Sequence, residues 1–377
     1  MALSFYEKAL EIYQEFLPSY HSILGGIYNG IATAHLYMGN YAMALSFYKK
    51  AIEIYRKSFP SDHPNLGANY TCIAVLHYVM GDYAVALSYS EKALQVHQKS
   101  LPSDHPDLAT NYESISFTHY AMGNYELALP YLEKALEIHR KSLPSDHPNL
   151  ARNYNNIAVV HQSMGNNAMS LSYLKKALAI WQKSLPSDHP NIAANYNNIG
   201  QLYQLMGNNK MALSYFEKAL EIHPKSLPSD HPNLAINYNN IGQLYQLMGN
   251  NKMALSYFEK ALEIWKKSLP SDHPNIALNY NNIAFVHHSM GDYAMALSYY
   301  EKALEIMQRA LSNNPPWLAA MYSNMGVTLE ELERYDEAVG YAIQAAEIAR
   351  ASLGPDHAET EAYENQVRQL QQSLSLL

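Results

Sequence analysis

Apolar and aromatic residues recur along this chain at helical spacing, in two alternating blocks. Between His189 and Pro228 the first block places Ile192, Tyr196, Ile199, Tyr203 and Met206 at steps of three or four, the stripe of an amphipathic helix. It predicts a helix A from about Pro190 to Met206. The second block, Ala212, Tyr215, Phe216, Ala219, Leu220 and Ile222, predicts a helix B from about Asn209 to Lys225. Gly207-Asn208 ends helix A, as glycine does at helix C-termini. Leu-Pro-Ser-Asp-His-Pro breaks the chain after helix B. Asp188 is placed to cap the next helix A, whose first turn tolerates proline. Each helix is about 25 Å long, and the short turn makes A and B antiparallel. Pro224 lies inside helix B, where other repeats carry Gln98, Arg140, Gln182, Lys266 or Gln308, and is predicted to kink or shorten it.

The two blocks form a repeat. Pro-Ser-Asp-His-Pro begins at Pro60, Pro102, Pro144, Pro186, Pro228 and Pro270, in steps of 42 residues. Weaker forms extend the frame at Pro18-Ser19-Tyr20-His21, at Ser312 to Pro316, and at Gly354-Pro355-Asp356-His357. Asn195 to Ile222 is identical to Asn237 to Ile264, which points to recent duplication. The prediction is a single all-α array over 1–377. Residues 1–17 form a half repeat with helix B only, and 18–353 hold eight pairs whose A helices start near Ser22, Pro64, Pro106, Pro148, Pro190, Pro232, Pro274 and Pro316. Residues 354–377 form a capping helix, polar through Glu359, Glu361, Glu364, Gln366, Arg368, Gln371 and Gln372. An array escapes the size limit of a single core because each repeat packs on its neighbours. The apolar face of the half repeat (Leu3, Phe5, Tyr6, Ala9, Leu10, Tyr13) lacks a partner. The expectation is that the natural chain continues upstream or that this end self-associates with another copy.

Charge and chemistry narrow the function. Lys plus Arg is 26, Asp plus Glu is 34, and the net charge is −8, against a nucleic-acid surface and mildly against an anionic membrane. Cys72 is the only cysteine, so no disulfide framework or cysteine metal site is expected. Glu7, Lys8 and Glu11 interrupt the N-terminal apolar stretch, so no signal peptide is read there. No apolar span reaches membrane length; membrane insertion is not expected, and a cytoplasmic location is. Asn69-Tyr70-Thr71 is a formal sequon without a secretion signal to give it meaning. Of 17 histidines, His63, His105, His147, His189, His231 and His273 fall one per connector, on different hairpins. They read as capping or connector residues, and no metal ligand is assigned. His287 and His288 point apart on a helix. Ser, Asp and His occur together in each connector, but no oxyanion hole or nucleophile turn accompanies them. No glycine-rich phosphate loop is present. The chain is expected to be no enzyme and to use no catalytic residue or cofactor.

The spacing of small and large residues resembles the tetratricopeptide repeat. In the fifth pair the pattern falls on Tyr196, Ile199-Gly200, Tyr203, Ala212, Phe216, Ala219 and Pro224. The first aromatic is held from Tyr28 to Tyr322 and the last small residue from Ala51 to Ala345, which lets helices approach closely while aromatics fill the space between successive hairpins. The family's usual length is 34 residues. A 42-residue form with Pro-x-Asp-His-Pro and Asn-Asn-Ile-Ala resembles the cargo-binding repeats of kinesin light chain, although no long heptad region is present. The resemblance implies a cytosolic adaptor that grips short peptides, built as a right-handed α-solenoid superhelix with helix A on the inner wall.

On that basis the peptide-binding residues are Arg152, Asn155 and Asn156 in the fourth pair, Asn197, Asn198 and Gln201 in the fifth, Asn239, Asn240 and Gln243 in the sixth, Asn281 and Asn282 in the seventh, and Asn324 in the eighth. Val159, Gln162, Ser163, Gln204, Leu205, Gln246, Leu247, Phe285, His288 and Ser289 follow one and two turns on. An Asn donates and accepts together, which suits the backbone of an extended peptide. The second Asn place reads Gly30, Cys72 and Ser114 before Asn156, so the ladder is continuous only from the fourth pair. Charge is sparse, with Arg152, Glu113, Glu330 and Glu331 near it, and favours an internal peptide stretch over a chain terminus. Three alternatives stay open. The Asn residues could bond only to the neighbouring helix. The array could be the targeting or regulatory region of a larger protein with a catalytic domain elsewhere, or a structural self-assembling array.

Overall fold

The computed structural model describes residues 2–226, 228–310 and 316–375, leaving the connector stretch 311–315 outside the described residues. Among the described residues there are eighteen α-helices and no strand. Helix α1 spans Ala2–Phe16 and stands alone. Eight hairpins follow, each a 16-residue helix A and a longer helix B. They pair α2 (Ser22–Tyr37) with α3 (Tyr41–Ser58), α4 (Pro64–Val79) with α5 (Tyr83–Ser100), α6 (Pro106–Ala121) with α7 (Tyr125–Ser142), and α8 (Pro148–Ser163) with α9 (Asn167–Ser184). The second four pair α10 (Pro190–Leu205) with α11 (Asn209–Ser226), α12 (Pro232–Leu247) with α13 (Asn251–Ser268), α14 (Pro274–Ser289) with α15 (Tyr293–Ala310), and α16 (Pro316–Glu331) with α17 (Tyr335–Leu353). Helix α18 (Ala358–Ser375) closes the order. The chain divides into two compact units, Met1–Pro186 and Ser187–Leu377.

Local sequence sets the punctuation. Gly39, Gly81, Gly123, Gly165, Gly207, Gly249 and Gly291 all carry φ between +74° and +82°, the left-handed residue that stops helix A. Behind Gly207, the Asn208 amide donates back to the Tyr203 carbonyl at 2.8 Å, closing the helix end. The N-cap differs from expectation. Asp188 does not cap; His189 does, its Nδ1 accepting from the Asn191 amide at 3.1 Å. The same bond recurs from His21 to His357, including His63 to the Asn65 amide at 3.2 Å. With proline fixed at the first helical position, the residue before it holds the extended conformation from which a side chain reaches the amide two places on. His63→Ala is expected to cost about 1 kcal/mol in urea unfolding, and His63→Asn far less, because asparagine restores an acceptor.

Packing follows from small residues on helix B. Ala51, Ala93, Ala135, Ala177, Ala219, Ala261, Ala303 and Ala345 are fully buried, so a methyl is all that separates neighbouring backbones. The ring of the first Tyr of helix A packs inside its own hairpin, as Tyr196 does on Tyr215 with centroids 5.9 Å apart. It also meets the preceding hairpin, with Arg140 over Tyr154 at 5.6 Å and Lys266 over Tyr280 at 5.2 Å. The tyrosine hydroxyl reaches the preceding helix B too, where Arg56 Nη2 donates to Tyr70 at 3.1 Å and Arg140 Nη2 to Tyr154 at 2.7 Å. Helix α11 runs through Pro224 to Ser226, as long as its counterparts, so the expected shortening does not occur; one backbone bond lost in the last turn leaves the buried Phe216 and Ala219 to hold the helix.

The two ends differ. Helix α18 buries Thr360 and Leu370, and its Gln366 Nε2 donates to the Ser323 carbonyl at 3.0 Å. Where helix A elsewhere presents Ala193 and Gly200 to its own helix B, α18 carries Glu361 and Arg368. Helix α1 has no fully buried residue, packs through Leu3, Ala9 and Leu10 on Leu24, Ile27 and Ile31, and leaves Phe5, Ile12 and Phe16 exposed.

Candidate functional site

The face of each helix A turned away from its helix B carries the candidate residues. In the second compact unit that face reads Ala194, Asn198, Gln201 and Leu205 on α10, then Ile236, Asn240, Gln243 and Leu247 on α12, then Leu278, Asn282, Phe285 and Ser289 on α14, then Ala320, Asn324, Val327 and Glu331 on α16. These are steps of four, three and four, one helix face. Leu205 and Leu247 are 63% and 64% exposed, and Ile236, Leu278 and Phe285 are exposed too. Apolar side chains therefore interleave with amides on this face. The sequence reading, which followed the amides, took Leu205, Leu247 and Phe285 for part of the wall but missed Ile236 and Leu278; their signal was an apolar residue off the core stripe.

The predicted Asn residues split into two rows. The first row turns into the seam between successive A helices. Asn197, 7% exposed, accepts from Asn237 Nδ2 at 3.1 Å. Asn239 accepts from Asn279 Nδ2 at 3.4 Å and from Asn282 Nδ2 at 3.1 Å. In the first compact unit Asn111 Nδ2 donates to Thr71 Oγ1 at 2.9 Å in the same frame, and Asn69 donates to Asn29. Asn69, Asn111, Asn153, Asn237 and Asn279, each immediately before a first Tyr, thus tie one helix A to the last, whereas both amide atoms of Asn195 are without a partner. The neighbour-bonding alternative therefore accounts for Asn197, Asn239 and Asn282. Of the second row, Asn198 and Asn324 are half-buried, and Asn240 is buried with its Nδ2 unpartnered. Gln201 and Gln243 are half-buried on the open face; Asn281, of the first row, is half-buried and its buried Oδ1 lacks a partner.

In the first compact unit the open face is less polar. Val75, Val79 and Phe117 are exposed there, with Asn156 half-buried below. Asn155 is half-buried. Arg152 is no free clamp. Its Nη2 lies 3.2 Å from Glu113 Oε2, and Asn153 Nδ2 donates to Glu113 Oε1 at 2.7 Å, so the guanidinium compensates a buried carboxylate. Burial pushes the Cys72 thiol up, which suppresses the thiolate and with it nucleophilic reactivity. Burial likewise pushes the Tyr48 phenol up to about 12.

Among the described residues no group of three His, Cys, Asp or Glu side chains could hold a metal ion, and no helix is long and apolar enough to cross a membrane. The connector histidines are occupied as helix caps.

A tetratricopeptide repeat family model matches residues 1–57, 65–141, 109–169, 149–225 and 229–309, and a second matches 318–359. No curated protein sequence matches the chain. Among solved structures, the kinesin light chain-like repeats of Podosopora anserina share 25% identity over 55% of this chain and 98% of that one, with a TM-score of 0.48. BtubC (BKLC) from P. vanneervenii shares 18% identity over 62% of this chain and 92% of its own, at TM-score 0.52. The apo form of RapI shares 17% over 76% and 98%, at TM-score 0.59. The latter two likenesses are of fold. Tetratricopeptide repeats generally serve as protein-interaction scaffolds. With family matches spanning nearly all of its hairpins, the chain belongs to the tetratricopeptide repeat family.

Proposed function

We propose that this protein is a scaffold that holds an extended, uncharged segment of a partner protein along the open face of the A helices in residues 187–377. One observation carries the reading. Half-buried amides (Asn198, Gln201, Gln243, Asn324) alternate there with exposed Ile236, Leu278 and Phe285, and the rows hold no Lys, Arg, Asp or Glu from α10 through α14. Amides that both donate and accept suit the regularly spaced groups of a peptide backbone, and the apolar residues between them offer burial to alternate side chains. A chain terminus would bring a charge with no counter-charge, so an internal segment fits better. Asn197 and Asn239 serve by fixing the spacing of the rows, and Asn155, Asn156 and Arg152 belong to the first compact unit's own face.

Selection from a displayed library of random peptides on the intact chain tests this. Enriched peptides are expected to lack charge at their centre and to tolerate extensions at both ends. Asn198→Ala combined with Gln243→Ala is expected to weaken the best peptide about tenfold or more, two hydrogen bonds' worth, with little change in melting temperature. Unchanged affinity would remove these side chains from the site.

A further inference from the structure

One helix B position separates the hairpins chemically. Fifteen residues into helix B, His97 bonds Asn111 Oδ1 through Nδ1 at 2.6 Å and the Pro64 carbonyl through Nε2 at 3.1 Å. His139 Nδ1 bonds Asn153 Oδ1. Trp181 and Trp265 fill the place with an indole. His223 of α11 does neither. Its ring is 1% exposed and neither nitrogen has a hydrogen-bond partner. Gly67 leaves room for His97, since a Cβ there would stand 2.3 Å from its Nε2, but His139 bonds Asn153 with Ala109 at that place, so Ala193 of α10 does not by itself explain the difference. Asn237, the counterpart of Asn111 and Asn153, sends its Nδ2 to Asn197 and to the Phe216 carbonyl at 3.2 Å, and its Oδ1, like the His223 ring, is without a partner. His223 is left lining a niche of ≈ 170 Å³ together with Asn197, Asn198, Gln201, Asn233 and Ile236. The niche opens among the residues of the proposed binding face.

We propose that this niche is a side-chain subsite for a carboxamide, the Asn or Gln of the bound segment, an inference that rests on the scaffold reading above. A buried polar group without a partner is rare and marks a place where something else completes the bonding. A neutral imidazole offers one donor and one acceptor. A carboxamide can meet either ring nitrogen, donating to the acceptor or accepting from the donor, and it also matches the amides of Asn198, Gln201 and Asn233. None of the named lining side chains carries a formal charge, so a carboxylate or ammonium would lose its water with no counter-charge. An apolar side chain would leave both ring nitrogens unpaired. Burial lowers the His223 pKa to about 4, which keeps the ring neutral near pH 7.

The test uses the intact chain and small probes. Propionamide, propionate and propylamine are titrated at neutral pH while the His223 Cε1–H resonance is followed by NMR, assigned from its loss in His223→Trp. Tryptophan occupies this position at Trp181 and Trp265, so the variant should fold and fill the niche. Propionamide is expected to shift the resonance saturably, with propionate and propylamine about tenfold weaker or worse, and in His223→Trp the accompanying shift of the Gln201 side-chain amide should vanish. If the variant fails to fold, the wild-type titration decides. A His223 resonance that ignores all three probes, as a rotation pairing it with Asn237 would produce, overturns the proposal, and so does an equal response to propionate. Displayed peptides that bind while propionamide leaves His223 unmoved would sink the subsite alone; absence of any peptide binding would sink the scaffold reading instead.

Discussion

Phe258→Ala is expected to destabilise the second compact unit by about 4 kcal/mol in urea unfolding, the range of buried Phe truncations. Phe258 is completely buried between α12 and α13. It fits because its neighbour on helix A is a glycine: a Cβ on Gly242 would stand 2.7 Å from Phe258 Cε1. Phe216 and Gly200 repeat the arrangement one hairpin earlier, at 2.6 Å. The hairpin of α8 and α9 solves the same space differently, with Ala158 opposite Leu174, both buried. The double change Phe258→Leu with Gly242→Ala should therefore retain most of the stability that Phe258→Ala loses. Gly242→Ala alone should cost about 1–3 kcal/mol by overpacking, despite alanine's better helix propensity. A double-mutant cycle in which the two changes simply add would mean that the residues do not share one space.

Stability should fall as pH is lowered from about 6.5 toward about 4, with His223 alone contributing about 3 kcal/mol of the loss. The sign follows from burial, which pushes the folded-state value from 6.5 down to about 4. Above 6.5 the ring is neutral in both states and its full contribution is present. Between 6.5 and 4 the unfolded chain takes up a proton that the folded chain refuses, so unfolding is favoured progressively. Below about 4 both states are protonated and no further loss comes from this residue. Urea unfolding at pH 7, 5 and 4 measures it. The other histidines act in wild type and in His223→Trp alike, so the difference between the two proteins isolates the share. Parallel curves for wild type and variant would show that His223 is not held neutral by its surroundings.

The period, the hairpins and every helix A start were legible because their signals are local. Proline at the first helical position and glycine with positive φ at the last announce themselves within a few residues. Recognising the cap itself was harder. Asp188 carries the better-known capping side chain, yet geometry favours the residue directly before proline, and there the imidazole Nδ1 of His189 reaches the amide. The two Asn rows lie one residue apart, a rotation of about 100° on a helix. Which row enters the seam depends on how one helix A lies on the next, and that is a tertiary fact. Asn237 reaching Asn197 across 40 residues could not be read from either position alone. His223 was still less visible. In sequence it matches His97 and His139, and no neighbouring residue announces the difference: Ala109 stands beside His139, which bonds Asn153, just as Ala193 stands beside the unpaired His223.

Hydrogen exchange of the intact chain, with and without a peptide recovered from the displayed library, tests the central claim most directly. A segment lying along the open face should slow exchange in α10, α12, α14 and α16, strongest around Asn198 and Gln243, and leave the B helices and residues 1–186 little changed. Protection confined to the B helices or to residues 1–186 would contradict it.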